Sequence, residues 1–104
     1  MNKIQISEFT VDWKYSAEDV IWNVQNIVKD FPVKFVEERE EYGDWYDVVE
    51  YDGEEFKFKI DSEHSYEGLE TIMNFVNEHL PEKGKRFVLS PDDGDSYTYR
   101  LESF

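Results

Sequence analysis

The chain contains no cysteine, only 5 glycines and 3 prolines, and no long apolar segment. The absence of cysteine excludes a disulfide framework and a thiolate metal site. No run approaches the roughly 18 apolar residues that a membrane-spanning helix needs. The opening residues Met1-Asn2-Lys3-Ile4 lack the apolar core of a signal peptide. We therefore expect a cytoplasmic protein with no membrane partner.

Cations are also scarce, since 11 lysines and arginines stand against 25 acids and give a net charge of −14. A charge of this sign repels nucleic acid and anionic membranes, so it favours a basic partner or simply keeps the protein in solution. The 39% hydrophobic and 17% aromatic content is too high for a disordered acidic tail. At 104 residues, we expect residues 1–104 to form a single α+β domain.

Motifs that carry chemistry are missing as well. There is no Gly-x-Ser-x-Gly nucleophile motif and no glycine-rich phosphate loop. The segment Asp92-Asp93-Gly94-Asp95 lacks the spacing of a calcium loop and is predicted to be a hairpin turn. His64 and His79 do not have the spacing of a zinc site. We expect no catalytic residue, no metal and no cofactor.

Apolar periodicity predicts six strands and two helices in the order β-α-β-β-β-α-β-β. The expected fold class is an α+β two-layer sandwich in which a mostly antiparallel sheet of five or six strands carries both helices on one face. The other face should be polar, aromatic and acidic. The predicted elements are a strand at residues 3–13 with a break near Ser7, a helix between Ser16 and Pro32, strands within Val33–Ile60, a helix between Ser65 and Pro81, and a hairpin of Phe87–Ser90 with Ser96–Glu102.

The two predicted helices begin and end at the same residue types. Ser16 and Ser65 are at N-cap positions, and Pro32 and Pro81 stop the helices. Trp22 lies off the apolar stripe and is expected to be exposed. The equal spacing of the caps and stops permits an internal βαββ duplication, with Gly43-Asp44 matched by Gly94-Asp95. Two capped helices of similar length would also look alike by chance.

Turn signals set the register of the central meander, Val33–Ile60. Asp52-Gly53 between alternating runs predicts a two-residue hairpin, which places Val49 opposite Phe56 and Glu50 opposite Glu55. A three-residue loop at Glu41-Tyr42-Gly43 would place Phe35 opposite Val49 and Glu37 opposite Asp47. This register aligns the apolar faces of all three strands, which is why it is preferred over a slip of one residue.

Negative charge is concentrated in and just after this meander. Residues 37–70 hold 14 of the 25 acids and only three cations, Arg39, Lys57 and Lys59. Exposed aromatic side chains among carboxylates are common anchors at protein interfaces. The predicted partner-binding residues are therefore Glu37, Glu38, Glu40, Glu41, Tyr42, Asp44, Trp45, Tyr46, Asp47, Glu50, Glu54 and Glu55.

Two interpretations of this acidic surface carry equal weight. It could be a solvated face that only keeps the protein soluble. Alternatively, the protein is a small acidic inhibitor that blocks the basic active or nucleic-acid-binding cleft of a protein partner, as phage anti-defence proteins that mimic DNA, anti-CRISPR proteins among them, and toxin-immunity proteins do. That partner would be a nucleic-acid-binding enzyme or effector, and the inhibitor would be a monomer or homodimer.

Two other functions stay open. The order of helix, three strands, helix and two strands is similar to that of type III secretion chaperones, which implies an acidic dimeric chaperone or adaptor. This likeness is one of topology, and the leading strand at residues 3–13 departs from it. The third is a hydrolase that uses Glu37 and Asp47, because glycosidase chemistry employs two carboxylates. A cleft around that pair would be required.

Overall fold

A computed structural model describes residues 7–12, 15–60, 66–90 and 96–103. The chain has the predicted order of six strands and two helices. The first strand covers only part of the predicted range, and the expected break near Ser7 adjoins residues outside the described part. The elements are β1 (Glu8–Asp12), α1 (Ala17–Ile27), β2 (Val33–Glu41), β3 (Asp44–Tyr51), β4 (Glu54–Ile60), α2 (Tyr66–His79), β5 (Lys85–Leu89) and β6 (Ser96–Ser103).

Helix α1 begins as its sequence predicts. The Ser16 hydroxyl accepts a hydrogen bond from the Asp19 backbone N–H at 3.2 Å, which satisfies one of the free donors of the first turn. Val20 and Val24 are fully buried, whereas Trp22 is 62% exposed. The predicted burial of the stripe within α1 and the exposure of Trp22 are therefore confirmed, but the helix ends at Ile27, before the predicted stop at Pro32.

Helix α2 buries a wider apolar surface than its stripe predicts. Its apolar periodicity predicts a buried stripe of Tyr66, Leu69, Ile72, Met73, Val76 and Leu80; of these, Leu69, Ile72, Met73 and Val76 are buried, whereas Tyr66 is exposed. Its predicted N-cap Ser65 lies outside the described residues. Phe75 was not on the stripe, yet its ring lies 4.8 Å from that of Phe56 and 5.3 Å from that of Phe58. Phe75 therefore anchors α2 to the central meander.

Both turns of the meander are two-residue hairpins. Asp52 and Gly53 have φ values of 50° and 87°, and Tyr42 and Gly43 have values of 53° and 85°. Positive φ at both central positions matches the twist of the flanking strands. The predicted β3–β4 register is confirmed, including Val49 opposite Phe56 and Glu50 opposite Glu55.

The β2–β3 register is confirmed only near the start of β2. Phe35 lies opposite Val49 as predicted, but the register shifts between Phe35 and Glu37. The predicted three-residue loop is wrong, because the turn contains only Tyr42 and Gly43. The extra residue of β2 forms a bulge at Val36 instead. As a result Glu37 lies opposite Val48, and Glu38 takes the predicted place of Glu37 opposite Asp47.

The predicted single sheet of five or six strands is corrected to two antiparallel sheets of three. One sheet has the order β1-β6-β5 and the other β2-β3-β4. The predicted final hairpin is confirmed as β5–β6, with Phe87 opposite Leu101. Helix α1 packs against β1 and β2, and α2 packs against β4 and β5, so each helix bridges the two sheets. Buried apolar side chains from both sheets and both helices form one core.

Side-chain amides of both helices bond to backbone groups at the edges of the two sheets. On β5, the Asn77 side chain of α2 donates to the Phe87 carbonyl at 3.1 Å and accepts from the Phe87 N–H at 2.7 Å. On β2, the Gln25 side chain of α1 donates to the Val33 carbonyl. These bonds occupy backbone groups at the edges of β5 and β2, where the sheets would otherwise be extended.

The topology fits the repeated unit indicated by the helix caps. Exchanging β1 for β4, β2 for β5 and β3 for β6 converts the pairing of one sheet into that of the other. Each sheet thus combines the hairpin of one half with the first strand of the other half. A common origin of the halves stays a prediction. Neither described helix is long and apolar enough to cross a membrane.

We expect Asn77→Ala to lower the free energy of unfolding by about 1–3 kcal/mol, because it removes both bonds to the Phe87 backbone. Denaturant unfolding followed by circular dichroism measures this change. Asn74→Ala is the matched control, since Asn74 is an exposed residue one turn earlier on the same helix. Equal losses for the two variants would contradict a role of Asn77 in closing the β5 edge.

Candidate functional site

Ion pairs cross the outer face of the meander, which is the face turned away from the helices. The Arg39 guanidinium donates to Glu37 at 2.6 Å and to Glu55 at 3.1 Å. Lys57 on β4 bonds both oxygens of Glu41 on β2, at 2.7 and 2.8 Å. Because Glu37 and Glu41 lie on β2 while Glu55 and Lys57 lie on β4, these contacts span all three strands.

Two further pairs complete this arrangement, which we call the ion-pair ladder. Lys34 lies 2.9 Å from Glu50, and Lys59 lies 3.8 Å from Asp44. The repulsion between Glu50 and Glu55 is therefore relieved, because Glu50 pairs with Lys34 and Glu55 pairs with Arg39. Five carboxylates and four cations leave the ladder with one net negative charge. The members of the ladder are Lys34, Glu37, Arg39, Glu41, Asp44, Glu50, Glu55, Lys57 and Lys59.

The ladder also covers apolar surface. Val48 points to the outer face, yet its exposed fraction is 0% and it lies outside the main core. Its neighbours in register are Glu37 and Lys57. The apolar stems of such long side chains shield a valine while their charged ends stay in water. The ladder thus has a structural role, and half of the predicted site residues take part in it or adjoin it.

The inner face of the same sheet carries carboxylates that do not belong to the ladder. Glu38 and Glu40 of β2 alternate with the ladder residues, so they project to the face that the helices pack on. Both are exposed, and among the described residues neither forms an ion pair. Glu40 lies opposite Trp45, which is 49% exposed. Uncompensated charge and an exposed aromatic ring therefore meet here.

The Tyr42 side chain extends this surface at the hairpin turn, where it is fully exposed. Tyr46 faces the ladder instead, with the Lys57 ammonium 5.8 Å from its ring centroid. Glu54 lies beside the other turn, opposite Tyr51 on the inner face. The predicted aromatic anchors are thus divided, since Tyr42 and Trp45 adjoin the uncompensated carboxylates and Tyr46 does not.

Asp47 is buried too deeply for a binding partner to contact it directly. Its exposed fraction is 2%, and it lies opposite Phe58 in the interior of the meander. Burial, together with the negative charge of Asp47, raises the pKa of the Tyr15 hydroxyl above its ordinary value of 10.0. Burial likewise raises the pKa of Tyr99, which is also near Tyr66 and Glu70. Asp47 is therefore part of the buried polar interior around Tyr15.

The predicted carboxylate pair for catalysis is not formed. Glu37 faces outward in the ladder, whereas Asp47 is buried on the inner side and has Glu38 as its neighbour. A cleft of about 470 Å³ runs between α2 and β5–β6, and another of about 450 Å³ lies near the C-terminal ends of both helices. Neither is lined by Glu37 or Asp47.

Most of the metal candidates of the sequence lie outside the described residues. In residues 7–12, 15–60, 66–90 and 96–103, no three acidic or histidine side chains are grouped as metal ligands. His64 and residues 92–95 lie outside these ranges. The ring of His79 packs against those of Tyr51 and Phe75, at 4.6 and 4.4 Å. It is held by stacking and by its Nδ1, which is 2.8 Å from the Phe75 carbonyl.

Comparison with known families, curated proteins and solved structures finds no match for this chain. Sequence reasoning did not separate the ladder from the uncompensated carboxylates. The available signal was the position of Lys34, Lys57 and Lys59, each of which lies between two apolar residues and therefore projects to the opposite face of its strand.

We expect stability to fall at alkaline pH because of Tyr15 and Tyr99. Since their pKa values are higher in the folded protein, their contribution is complete below pH 10 and is lost as the pH rises towards the folded-state values. The loss per tyrosine is at most about 1.4 kcal/mol per pH unit. Denaturant unfolding at a series of pH values should show a shallower decline for Tyr15→Phe.

Tyr42→Phe is the control for this measurement, because Tyr42 is fully exposed in the folded protein. Its decline with pH should match that of the unmodified chain. If Tyr15→Phe and Tyr42→Phe declined in parallel, the account of the Tyr15 environment would be wrong.

Proposed function

We propose that this protein is a small acidic inhibitor that binds the basic cleft of a nucleic-acid-binding enzyme or effector. Its contact surface is the acidic edge, defined as Glu38, Glu40, Tyr42 and Trp45. The observation that carries the proposal is the division of the meander into two faces. Carboxylates of the ladder are matched by cations, while those of the acidic edge are exposed and form no ion pair within the described residues.

Charge supports the choice of a basic partner. The chain carries −14 in total, so a positively charged surface would be attracted over a distance set by the ionic strength. Glu38 and Glu40 are two residues apart on a strand, which separates them by about 6.8 Å. Two fixed charges at this spacing favour a partner with more than one lysine or arginine, and such a complex weakens as salt is added.

The aromatic residues supply the apolar part of the contact. Tyr42 is fully exposed and Trp45 is 49% exposed. Tyrosine and tryptophan are enriched among residues that contribute most to binding, because they bury large rigid surfaces. Trp45 lies opposite Glu40 and Tyr42 lies in the adjoining turn, so apolar surface and charge occur together, as they do in protein interfaces.

Capture of partners from host lysate, with stepwise elution by salt and identification by mass spectrometry, tests the proposal. We expect the unmodified chain to capture a basic nucleic-acid-binding protein and to inhibit its purified activity. The double variant Glu38→Lys with Glu40→Lys should lose both effects by at least about tenfold, because it places like charges together.

The control variant is Glu67→Lys with Glu78→Lys on the exposed side of α2, which changes the net charge equally. It should retain most of the capture and inhibition. If both double variants lost activity to the same extent, net charge alone would explain the binding. Retention of the partner by the Glu38→Lys, Glu40→Lys variant would overturn the proposed site.

A further inference from the structure

The outer edge of β2 is covered near its start and, within the part of the chain that the structure describes, unpaired beyond the bulge. In the described residues β2 is an edge strand, bonded to β3 on one side only. Before the bulge, its edge is covered by α1, where Gln25 bonds the Val33 carbonyl and the Val33 N–H donates to the Phe31 carbonyl at 2.8 Å. Beyond the bulge, no element of the described chain is paired with residues 37–41 on this side.

The hairpin turn decides which backbone groups face outward. In a two-residue turn the flanking pair, here Glu41 and Asp44, is hydrogen bonded. Hydrogen-bonded and non-bonded pairs alternate along an antiparallel ladder. The backbone groups of Glu37, Arg39 and Glu41 are therefore directed towards β3, and those of Glu38 and Glu40 are directed outward.

The same two residues supply the uncompensated carboxylates. Each of them presents an outward N–H, an outward carbonyl and an exposed carboxylate. Edge strands with free backbone groups accept an added strand from another chain, and the neighbouring side chains determine which sequence is accepted. Glu38 and Glu40 favour lysine or arginine opposite them, because opposite charges on paired strands attract.

The outer edges of β4 and β5 are less open to such a strand. On β5, Asn77 occupies the backbone of Phe87. On β4, the same alternation directs the backbone of Lys57 and Lys59 outward, and lysine on an edge opposes strand addition. A second copy paired through β2 would place Glu38 and Glu40 near their own counterparts, so repulsion disfavours that occupant.

We propose that residues 37–41 of β2 accept an extended basic segment of the partner as an added antiparallel strand, with lysine or arginine opposite Glu38 and Glu40. This inference depends on the proposed function and specifies how the acidic edge binds. The added strand completes the backbone hydrogen bonds of Glu38 and Glu40, and its basic side chains meet their carboxylates.

A synthetic peptide of alternating lysine and valine tests this mode of binding. Amide hydrogen exchange, followed by NMR on the labelled protein, should slow at Glu38 and Glu40 when the peptide is added. The amides of Lys57 and Lys59 on β4 are the internal control and should be unaffected. Absence of binding, or equal protection of both edges, would overturn the inference.

Two N-methylated peptides of the same charge separate strand pairing from simple attraction. When the peptide pairs as an antiparallel strand with lysine opposite Glu38 and Glu40, the backbone N–H groups of its lysines face β2 and those of its valines face away. Methylation of the backbone nitrogens of the lysines should therefore weaken binding by about tenfold or more. Methylation of the valine amides should leave binding nearly unchanged.

The outcomes also distinguish this inference from the function on which it depends. If both methylated peptides bind as the parent does and salt releases all three, strand addition is wrong while charge-directed binding to the acidic edge still holds. If the Glu38→Lys, Glu40→Lys variant captures the partner unchanged, the proposed function fails whatever the peptides show.

Discussion

Charge compensation across the outer face of the meander is the constraint on which the rest of the structure depends. Arg39 and Lys57 link β2 to β4 over the intervening strand, and the ladder they belong to surrounds the buried Val48. Exposed ion pairs are individually weak, so their value here lies in relieving the repulsion of closely spaced carboxylates. The same arrangement leaves Glu38 and Glu40 uncompensated on the other face, which separates structural charge from charge available for binding.

Local chemistry made much of this fold predictable from the sequence. The Ser16 cap, the apolar stripe of α1 and the Asp52-Gly53 turn each depend on a few neighbouring residues, and each was confirmed. The bulge at Val36 was not predictable, because a three-residue loop without a bulge and a two-residue turn with one align the apolar residues equally well. That difference of one residue moved Glu37 into the ladder and placed Glu38 beside Asp47.

The division into two sheets depends on contacts between residues distant in sequence. Alternation predicts strands, but it does not show that Asn77 will occupy the backbone of Phe87. The exchange of first strands between the halves has a further consequence. Phe9 lies opposite Tyr99 in one sheet, and at the corresponding place Phe58 lies opposite Asp47 in the other. Equivalent positions of the two sheets therefore hold a tyrosine in one and a buried carboxylate in the other.

Uncompensated charge beside an exposed aromatic ring distinguishes the acidic edge from the ladder, and the proposed binding of a basic partner depends on this difference. The neighbouring residues Glu40 and Glu41 belong to the two different sets. The most direct measurement compares Glu40→Gln with Glu41→Gln, by the free energy of unfolding and by affinity for the captured partner. Glu40→Gln should bind the partner more weakly without losing stability, whereas Glu41→Gln should lose stability, because it breaks the pair with Lys57, and should bind unchanged. Equal effects of the two variants on binding would contradict this division of the carboxylates.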